Sequence, residues 1–599
     1  MDSKMLDIVL SYPPLAERIA EKEGEKEKVL KKLDEIKADF SKTWIQPFEK
    51  VLDQVVGKLY DNINFTTGDM DFAGLVKNNH VILVPNHQSH ADYVALNYYV
   101  YKHYRFPLYV AGGANLNVFP IGTLFRKCGC FFIRRTFSTD ATYKFTLQAY
   151  LYYLLFMGKP IEFFFEGGRS RTGKMLPPRY GLFQMLLEAH EALPAKKKKE
   201  LIFVPVSIVH EYVPEQRSLA RELKGGKKKA ESFFEILKVM KIFSYQLGSV
   251  HIKLGTPLQK DSVLDPAVDP KIATQNLAFR CFFQVGSNMM ITPSSLLSMI
   301  MLDEPQGALK WQDILERAQG ILGYCARFNV PITKSLENES LESALERAID
   351  LFIANKKIDV IGKNSVGHVF YSIKPENRLE LLYFKNSILH HFIIPWVVDS
   401  VWINIFSGKI EGVSELKRHF KRYRDQLKHE FYLPGLKDFI SKGMDIISYA
   451  IGRDVKSFEE CTSLTHKELY EIASKISFFS KGFVYIYEGQ YIAALTIRAL
   501  IKDDKEKDEK NITFTYEEFA KKAKELFDFE LAHGKIVKFP ESYSIPLLKN
   551  SLKYLVGLGI IFSGDGHYAV VDAKGVQNVI SLLGDDILAH RSLNLKVNQ

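Results

Sequence analysis

The chain has 599 residues, 46% of them apolar and 25% charged, which is globular usage, and its length predicts two or three domains. Five cysteines without paired CxxC spacing (Cys128, Cys130, Cys281, Cys325 and Cys461) argue against a disulfide framework or a structural zinc site and for a reducing compartment. The net charge of +10 is concentrated: between Val81 and Lys260, 26 Lys and Arg face 12 Asp and Glu, so the remaining chain is slightly acidic.

The first residues carry a short apolar run broken by Pro13 and Pro14 and then dense charge, which fits neither a signal peptide nor a membrane span. From Lys28 to Tyr60 apolar residues recur at three- and four-residue spacing, the pattern of amphipathic helices, so residues 1–75 are expected to form a helical N-terminal region. The next segment, 76–260, reads as an α/β unit. Short runs ("VILVP", "PLYVAG", "CFFIRR", "IEFFFEG", "LIFVPVSIV", "SVHIKLG") alternate with helical stretches such as Ala91 to Tyr101 and Ala141 to Met157. Their continuous apolarity predicts strands covered on both faces.

In "VILVPNHQSHADY" a strand ends near Pro85 and a helix begins near Ala91, with His87 and Asp92 between them and His90 a second imidazole. Folded back, Asp92 accepts the proton on one ring nitrogen of His87 and leaves the other to take a proton from a substrate hydroxyl. The plainer alternative is a loop histidine capped by a helix N-terminal aspartate. Two further runs end in arginines: "CFFIRR" in Arg134 and Arg135, and "FFFEGGRSR" in Glu166, Gly167, Gly168, Arg169, Ser170 and Arg171. Strands of an open α/β sheet deliver ligand-binding groups at their carboxyl ends, and paired guanidinium groups suit a phosphate dianion. The two glycines permit close approach of backbone N–H groups. Isolated surface ion pairs are the alternative. The continuation "GGRSRTGKM" approaches a nucleotide P-loop, but Met175 stands where a magnesium-ligating hydroxyl is required, so a nucleotide-hydrolysing reading is disfavoured. Two basic loops, Lys196 to Lys199 and Lys224 to Lys229, could lie against anionic lipid or be solvated.

Residues 261–599 are expected to be mostly helical. Ala344 to Ile373 and Leu547 to Val571 share the order helix, strand, polar turn, strand, which suggests two winged-helix-like units at about 290–375 and 490–575. They lack the basic surplus that nucleic acid demands, so no nucleic-acid partner is expected and a scaffold or dimer-forming role is favoured. The run Ile388 to Phe406 contains His390, His391, Asp399 and Asn404 and is interrupted by Pro395, so a spanning helix is disfavoured. A buried helix, or an interfacial one with Trp396 and Trp402 at headgroup level, stays open. Lys502 to Asn511 reads as a solvated loop.

The ordered set "NHQSHAD", "GCFFIRR", "FFEGGRSRTGK" and "FVPVSI" resembles the four motifs of the glycerolipid acyltransferases, whose first motif is a histidine, four residues and an aspartate. The longer stretches "AGGANLNVFPIGTLFRKCGCFFIRRTF" and "EFFFEGGRSRTGK" are most similar to the glycerol-3-phosphate and dihydroxyacetone-phosphate acyltransferase branch, in its bacterial glycerol-3-phosphate form. The match covers about Val81 to Glu211, and "YFKNSILHHF" and "FRCFFQVGSNMMITP" resemble its C-terminal extension more weakly. Cys128 and Cys130 depart from the family's usual apolar residues. The resemblance implies an α/β acyltransferase domain, a mixed sheet flanked by helices, between the helical N-terminal and C-terminal regions. It implies His87 as general base and Asp92 as its orienting partner. It also implies Arg134, Arg135, Arg169 and Arg171 on the phosphate with Lys174 as an auxiliary. Glu166, Gly167, Gly168 and Ser170 would shape the loop, and Pro205 the acyl-side wall. The expected reaction transfers an acyl group from acyl-CoA or acyl-acyl carrier protein to the 1-hydroxyl of glycerol 3-phosphate, with no metal or cofactor. The chain is then expected at a membrane surface with anionic lipids, on the cytoplasmic face of a bacterial inner membrane. The alternatives are a dihydroxyacetone-phosphate acyltransferase, commonly peroxisomal, and a non-catalytic peripheral lipid-binding protein.

Overall fold

Between Asn62 and Gln259 strands and helices alternate: β1 (Asn62–Thr66), β2 (His80–Pro85), β3 (Tyr109–Gly113), β4 (Cys130–Ile133), β5 (Ile161–Glu162), β6 (Leu201–His210), β7 (Ser249–Leu254) and β8 (Leu258–Gln259). The computed structural model describes residues 3–136, 139–226, 246–305, 307–362, 369–503, 512–564 and 566–592. Residues 227–229 of the second basic loop and residues 504–511 of the charged stretch lie outside the described residues. The strands form one eight-stranded sheet in the order β1-β7-β6-β2-β5-β3-β4, with β8 on β6. The run from β6 through β2, β5 and β3 to β4 is parallel, whereas β7 and β8 are antiparallel to β6, which makes the sheet mixed.

The apolar runs are continuous because both faces are buried. On β2, Val81 and Leu83 point into one core and Ile82 and Val84 into another; on β6, Ile202, Val204, Val206 and Ile208 join the first, and Leu201 and Phe203 the second. The helix Ala141–Phe156, N-capped by Asp140, covers the second face with Gly181–Glu191 and Pro270–Asn288. Against it pack the N-terminal helices through Val9, Leu15, Val29 and Leu33. Sheet layers therefore extend beyond 76–260 on both sides, since β1 pairs with β7 and Pro270–Asn288 is tied to β6 by Ser207 Oγ donating to the Val285 carbonyl at 2.7 Å.

β5 is shorter than the run "IEFFFEG" predicts. Phe163 N still donates to the Leu83 carbonyl at 3.1 Å, but the aromatic residues then leave the sheet; their apolarity reflects side-chain burial, not strand pairing.

The first face of the sheet carries the helical C-terminal region in one continuous core. Two small three-stranded sheets recur there with one topology. In the first, the strand Ala308–Lys310 pairs with the second strand of the hairpin Ile358–Ile361/Phe370–Ile373; in the second, Thr513–Thr515 does so with Ile561–Gly564/His567–Val570. The apolar run Ile388–Phe406 lies inside this core. Trp396 and Trp402 are 0% and 2% exposed and donate to the carbonyls of Ser480 and Leu469, so neither indole sits at a headgroup level. The preceding helix Pro375–Ile388 is buried from Arg378 onward and holds polar side chains there in pairs: Arg378 with Glu541, Lys385 with Asp303, Glu380 with Lys357. The stretch Pro375–Phe406 is long and apolar enough to cross a membrane, yet 78% of its most apolar window is buried inside the fold.

Candidate active site

The parallel strands β2, β5, β3 and β4 end at one edge of the sheet, and the residues singled out in the sequence lie in the loops that leave it. After Pro85 the chain is zipped onto the overhanging end of β6: Asn86 exchanges side-chain hydrogen bonds with the amide and carbonyl of Ile208 at 2.7 and 3.0 Å. His87 follows, and Asp92, in the first turn of the helix Ala91–Tyr104, folds back beneath it. His87 Nδ1 lies 2.8 Å from Asp92 Oδ2, which also accepts the backbone N–H groups of Gln88 at 2.6 Å and Ser89 at 2.9 Å. Burial works against the charge on Asp92, but the hydrogen bonds from His210 and His87 more than offset it and hold the carboxyl well below its usual range. The imidazole of His87 is depressed below its usual value by burial, against the opposing pull of Asp92. Its ring stacks on Phe164, with centroids 4.1 Å apart. With Nδ1 committed to Asp92, Nε2 is the nitrogen left to take a proton.

His87 lines a groove that opens to solvent. The walls are apolar: Tyr93, Val110, Leu116 and Phe125 from the α/β layer, and Ile45, Phe48 and Leu52 from the N-terminal helix Lys42–Leu59, which lies across it. Cys128 and Cys130 face the same space, and burial raises both thiols, Cys128 to about 11 and Cys130 to about 12. They act as small apolar surface.

The loop after β5 is held against His87 from both sides. Ser170 N donates to the His87 carbonyl at 3.0 Å, and Glu166 accepts the N–H groups of His87 and Leu176, both at 2.9 Å. Burial raises Glu166 to about 8 against these two donors. Ser170 Oγ closes the loop on the Lys174 carbonyl at 2.5 Å. Gly167 has φ +65°, as the sharp turn requires, while Gly168 adopts an ordinary conformation with open space around it.

The expected arginine cluster is only partly assembled. Arg169 is mostly buried, pairs with Glu215 at 3.4 Å, and is close enough to bear electrostatically on His87. Arg171, half exposed, pairs with Glu222 at 2.9 Å. Arg134 is placed otherwise: its guanidinium grips Glu35 of the N-terminal helix Glu25–Ile36 at 2.6 and 2.7 Å, reaches Asp140 at 3.2 Å and lies over the ring of Tyr143. Two carboxylates supplied by the N-terminal region and a helix cap thus occupy it. Arg135 is exposed and directs Nη2 to Asn115 Oδ1 at 3.4 Å, beside the groove wall at Leu116. Lys174 also departs from its expected role, since its ammonium bonds Glu430 and lies over Phe431, within a second cavity that His87 does not line. Pro205 is buried in mid-strand between the β8 and β7 pairings of β6, where a missing N–H costs no ladder bond, and it does not line the groove. Among the described residues no group of three or more His, Cys, Asp or Glu could hold a metal ion.

Three residues of the site escape a motif reading. His210 Nε2 lies 2.6 Å from Asp92 Oδ1. Glu215 accepts Ser89 Oγ at 3.0 Å and His90 N at 3.0 Å and so ties the first motif to Arg169. Tyr383, from the helix Pro375–Ile388, donates its hydroxyl to the Gln88 carbonyl at 2.9 Å. The first two stand at and just beyond the carboxyl end of "LIFVPVSIVHEYVPE", where the rule that singled out the arginines also points. Tyr383 has no such signal, being almost three hundred residues away.

Comparison with known proteins places the chain in a family. The family model of the glycerol-3-phosphate acyltransferase C-terminal region matches residues 219–563, and an acyltransferase model matches residues 69–209. The glycerol-3-phosphate acyltransferase of Haemophilus ducreyi is 29% identical over 451 residues, covering 72% of this chain and 54% of its own length. That of Pseudoalteromonas atlantica is 33% identical over 396 residues, covering 62% and 47%. The chain thus spans about half the length of the curated relatives it matches. A solved 1-acyl-sn-glycerophosphate acyltransferase from Thermotoga maritima is 16% identical, covering 39% of this chain and 76% of that one with a TM-score of 0.24, a likeness too low to argue from. On the family match across more than half its residues, the chain belongs to the glycerol-3-phosphate acyltransferase family.

Proposed function

We propose that the protein transfers a fatty acyl group from a thioester donor to the 1-hydroxyl of glycerol 3-phosphate. One observation carries this reading: a histidine held by a buried aspartate opens on an apolar groove and neighbours a partly buried arginine. His87 Nε2 removes the hydroxyl proton as the alkoxide attacks the thioester carbonyl, and the imidazolium that forms is stabilised by Asp92. The C–O bond forms, the C–S bond breaks, and the thiolate leaves; a base so placed contributes on the order of 10²- to 10⁴-fold. Arg169, with Arg171 at the rim, receives the phosphate by exchanging carboxylate partners for phosphate oxygens. The acyl chain occupies the groove beneath the helix Lys42–Leu59.

The donor's approach is from a membrane surface. Trp44 and Phe119 are 60% and 82% exposed and neighbour the groove-lining residues Ile45 and Leu116 in the chain, which suits burial of both side chains in the interface. Of the basic loop, Lys197 to Lys199 are partly engaged by Phe156, Glu191 and the Lys77 carbonyl.

Incubation with labelled palmitoyl-CoA and either glycerol 3-phosphate or dihydroxyacetone phosphate tests the reading. Turnover with the first and its loss in His87→Ala are expected; undiminished turnover in that variant removes the mechanism. Preference for dihydroxyacetone phosphate would move the protein to the other branch. Co-sedimentation with anionic vesicles, reduced in Trp44→Ser/Phe119→Ser, tests the membrane surface, and equal sedimentation of both proteins would sink it.

A further inference from the structure

Asp92 sits between two imidazoles. Its Oδ2 is crowded with donors, taking His87 Nδ1 and the N–H groups of Gln88 and Ser89, whereas Oδ1 has a single partner among the described residues, His210 Nε2 at 2.6 Å. The fold builds this contact deliberately: β6 continues four residues past the level at which β2 stops, since Pro85 is in register with Val206, and the overhang ends in His210 directly beneath the loop that Asn86 fastens to it. The side chains of His210 and Asp92 are 1% and 0% exposed.

The other nitrogen of His210, Nδ1, is buried and has no hydrogen-bond partner among the described residues, and neither has the hydroxyl of Tyr60, whose ring centroid lies 6.2 Å from that of His210. Nε2 faces a carboxylate oxygen, which can only accept, so Nε2 carries a proton. His210 therefore donates its Nε2–H to Asp92. Loss of that donor would leave Oδ1 a buried carboxylate oxygen without its hydrogen bond, and the carboxylate restrained through Oδ2 alone.

We propose that His210 is a positioning residue for the reaction assigned above: its Nε2–H locks the plane of Asp92 and draws charge from it, so that Asp92 orients His87 without holding it protonated. The inference rests on His87 being the general base. A carboxylate facing His87 alone would stabilise the imidazolium more strongly and keep the base occupied at higher pH. The other groups around the array are Glu162 on β5, Glu166 and Arg169 from the loop after β5, Glu215 from the loop after β6, His90 and Tyr93 at the start of the helix Ala91–Tyr104, Tyr60 preceding β1, and Tyr383 from the C-terminal region. They are common to every variant below, so differences between variants report on His210.

The test compares kcat, both KM values and the pH dependence of kcat/KM in the full-length chain with palmitoyl-CoA and glycerol 3-phosphate. In His210→Gln the amide N–H can donate from nearly the same place, and rates within about threefold of the parent with an unmoved acid limb are expected. In His210→Phe kcat should fall about tenfold, the scale of one hydrogen bond to a charged group, with both KM values little changed. Its acid limb should shift upward by about half a pH unit or more as Asp92 regains charge. A folded His210→Phe protein with the parent's kcat and acid limb overturns the proposal. Should that variant fail to fold, His210→Asn, one carbon too short to reach Asp92, replaces it: a profile like that expected for Phe supports the role, and one identical to His210→Gln refutes it. His87→Ala run alongside separates the two ideas, since activity surviving there removes the base itself.

Discussion

His87 and Asp92 show how burial and hydrogen bonding pull the proposed catalytic pair in opposite directions. Burial favours the neutral imidazole, while the donors around Asp92 keep the carboxylate ionised beside it. The sign for pH follows: the base works when neutral, so activity is present above its lowered pKa and is lost as pH falls through it. The acid limb of kcat/KM should therefore lie below the ordinary imidazole value of 6.5. A limb at or above that value would contradict the buried setting. Arg169 is the residue whose removal should separate binding from chemistry. Arg169→Ala forfeits charge-assisted bonds to the phosphate and should raise the KM for the acceptor on the order of ten- to a hundredfold with a smaller change in kcat. Steady-state kinetics with varied acceptor checks this, and an unchanged KM would place the phosphate elsewhere. The same substitution at Arg134 should act differently, through detachment of the Glu25–Ile36 helix by loss of the Glu35 pair.

At the scale of elements, two helices from outside the motif-bearing segment complete the site. The helix Pro375–Ile388 carries Tyr383 to the Gln88 carbonyl and Asn386 to the Thr172 carbonyl at 2.8 Å, so one rigid rod clamps the loops after β2 and β5 together. Gly173 fits beneath it because it has no side chain: a Cβ there would lie 2.0 Å from the Tyr383 carbonyl oxygen. Tyr383→Phe removes one neutral hydrogen bond, worth about 0.5–1.5 kcal/mol, and should lower kcat by up to about tenfold while leaving the groove intact. Equal kcat in the two proteins would show that the clamp does not tune the chemistry. The helix Lys42–Leu59 closes the groove with Ile45, Phe48 and Leu52. Phe48→Trp enlarges a wall residue, so the ratio of rates with long and short acyl-CoA donors should fall; a constant ratio would exclude this groove as the acyl site.

Across the whole molecule, the eight-stranded sheet and the C-terminal region share one hydrophobic core, which runs from β2 and β6 to the helix Ala573–Ser592. The bidentate pair of Arg378 and Glu541, both 1% exposed with contacts of 2.8 Å, links the helix Pro375–Ile388 to the second of the two small three-stranded units. Arg378 also donates to the carbonyls of Leu302 and Glu304. Removing one partner strands a buried charge, so Arg378→Ala should destabilise the fold by about 3–5 kcal/mol, whereas Arg378→Met/Glu541→Leu should cost much less. Chemical denaturation of the two variants checks the order, and equal loss in both would mean that packing, not charge, dominates there.

The sequence by itself determined the alternation of strands and helices, because strands buried on both faces must be apolar throughout, and it marked the strand ends where His87, Asp92 and Arg169 emerge. It also set Met175 against a magnesium-bound nucleotide and the polar residues of Ile388–Phe406 against a membrane span, since charge and hydrogen-bonding capacity are properties of the residue itself. Which side chains meet was decided only by tertiary structure. Arg134 and Arg169 stand in similar motifs, yet Glu35 and Asp140 claim the first, and nothing local in "FFIRR" encodes a carboxylate about a hundred residues earlier. Lys174 goes to Glu430 for the same reason. His210 and Tyr383 enter the site through strand register and helix packing, and such contacts depend on where the backbone returns in space.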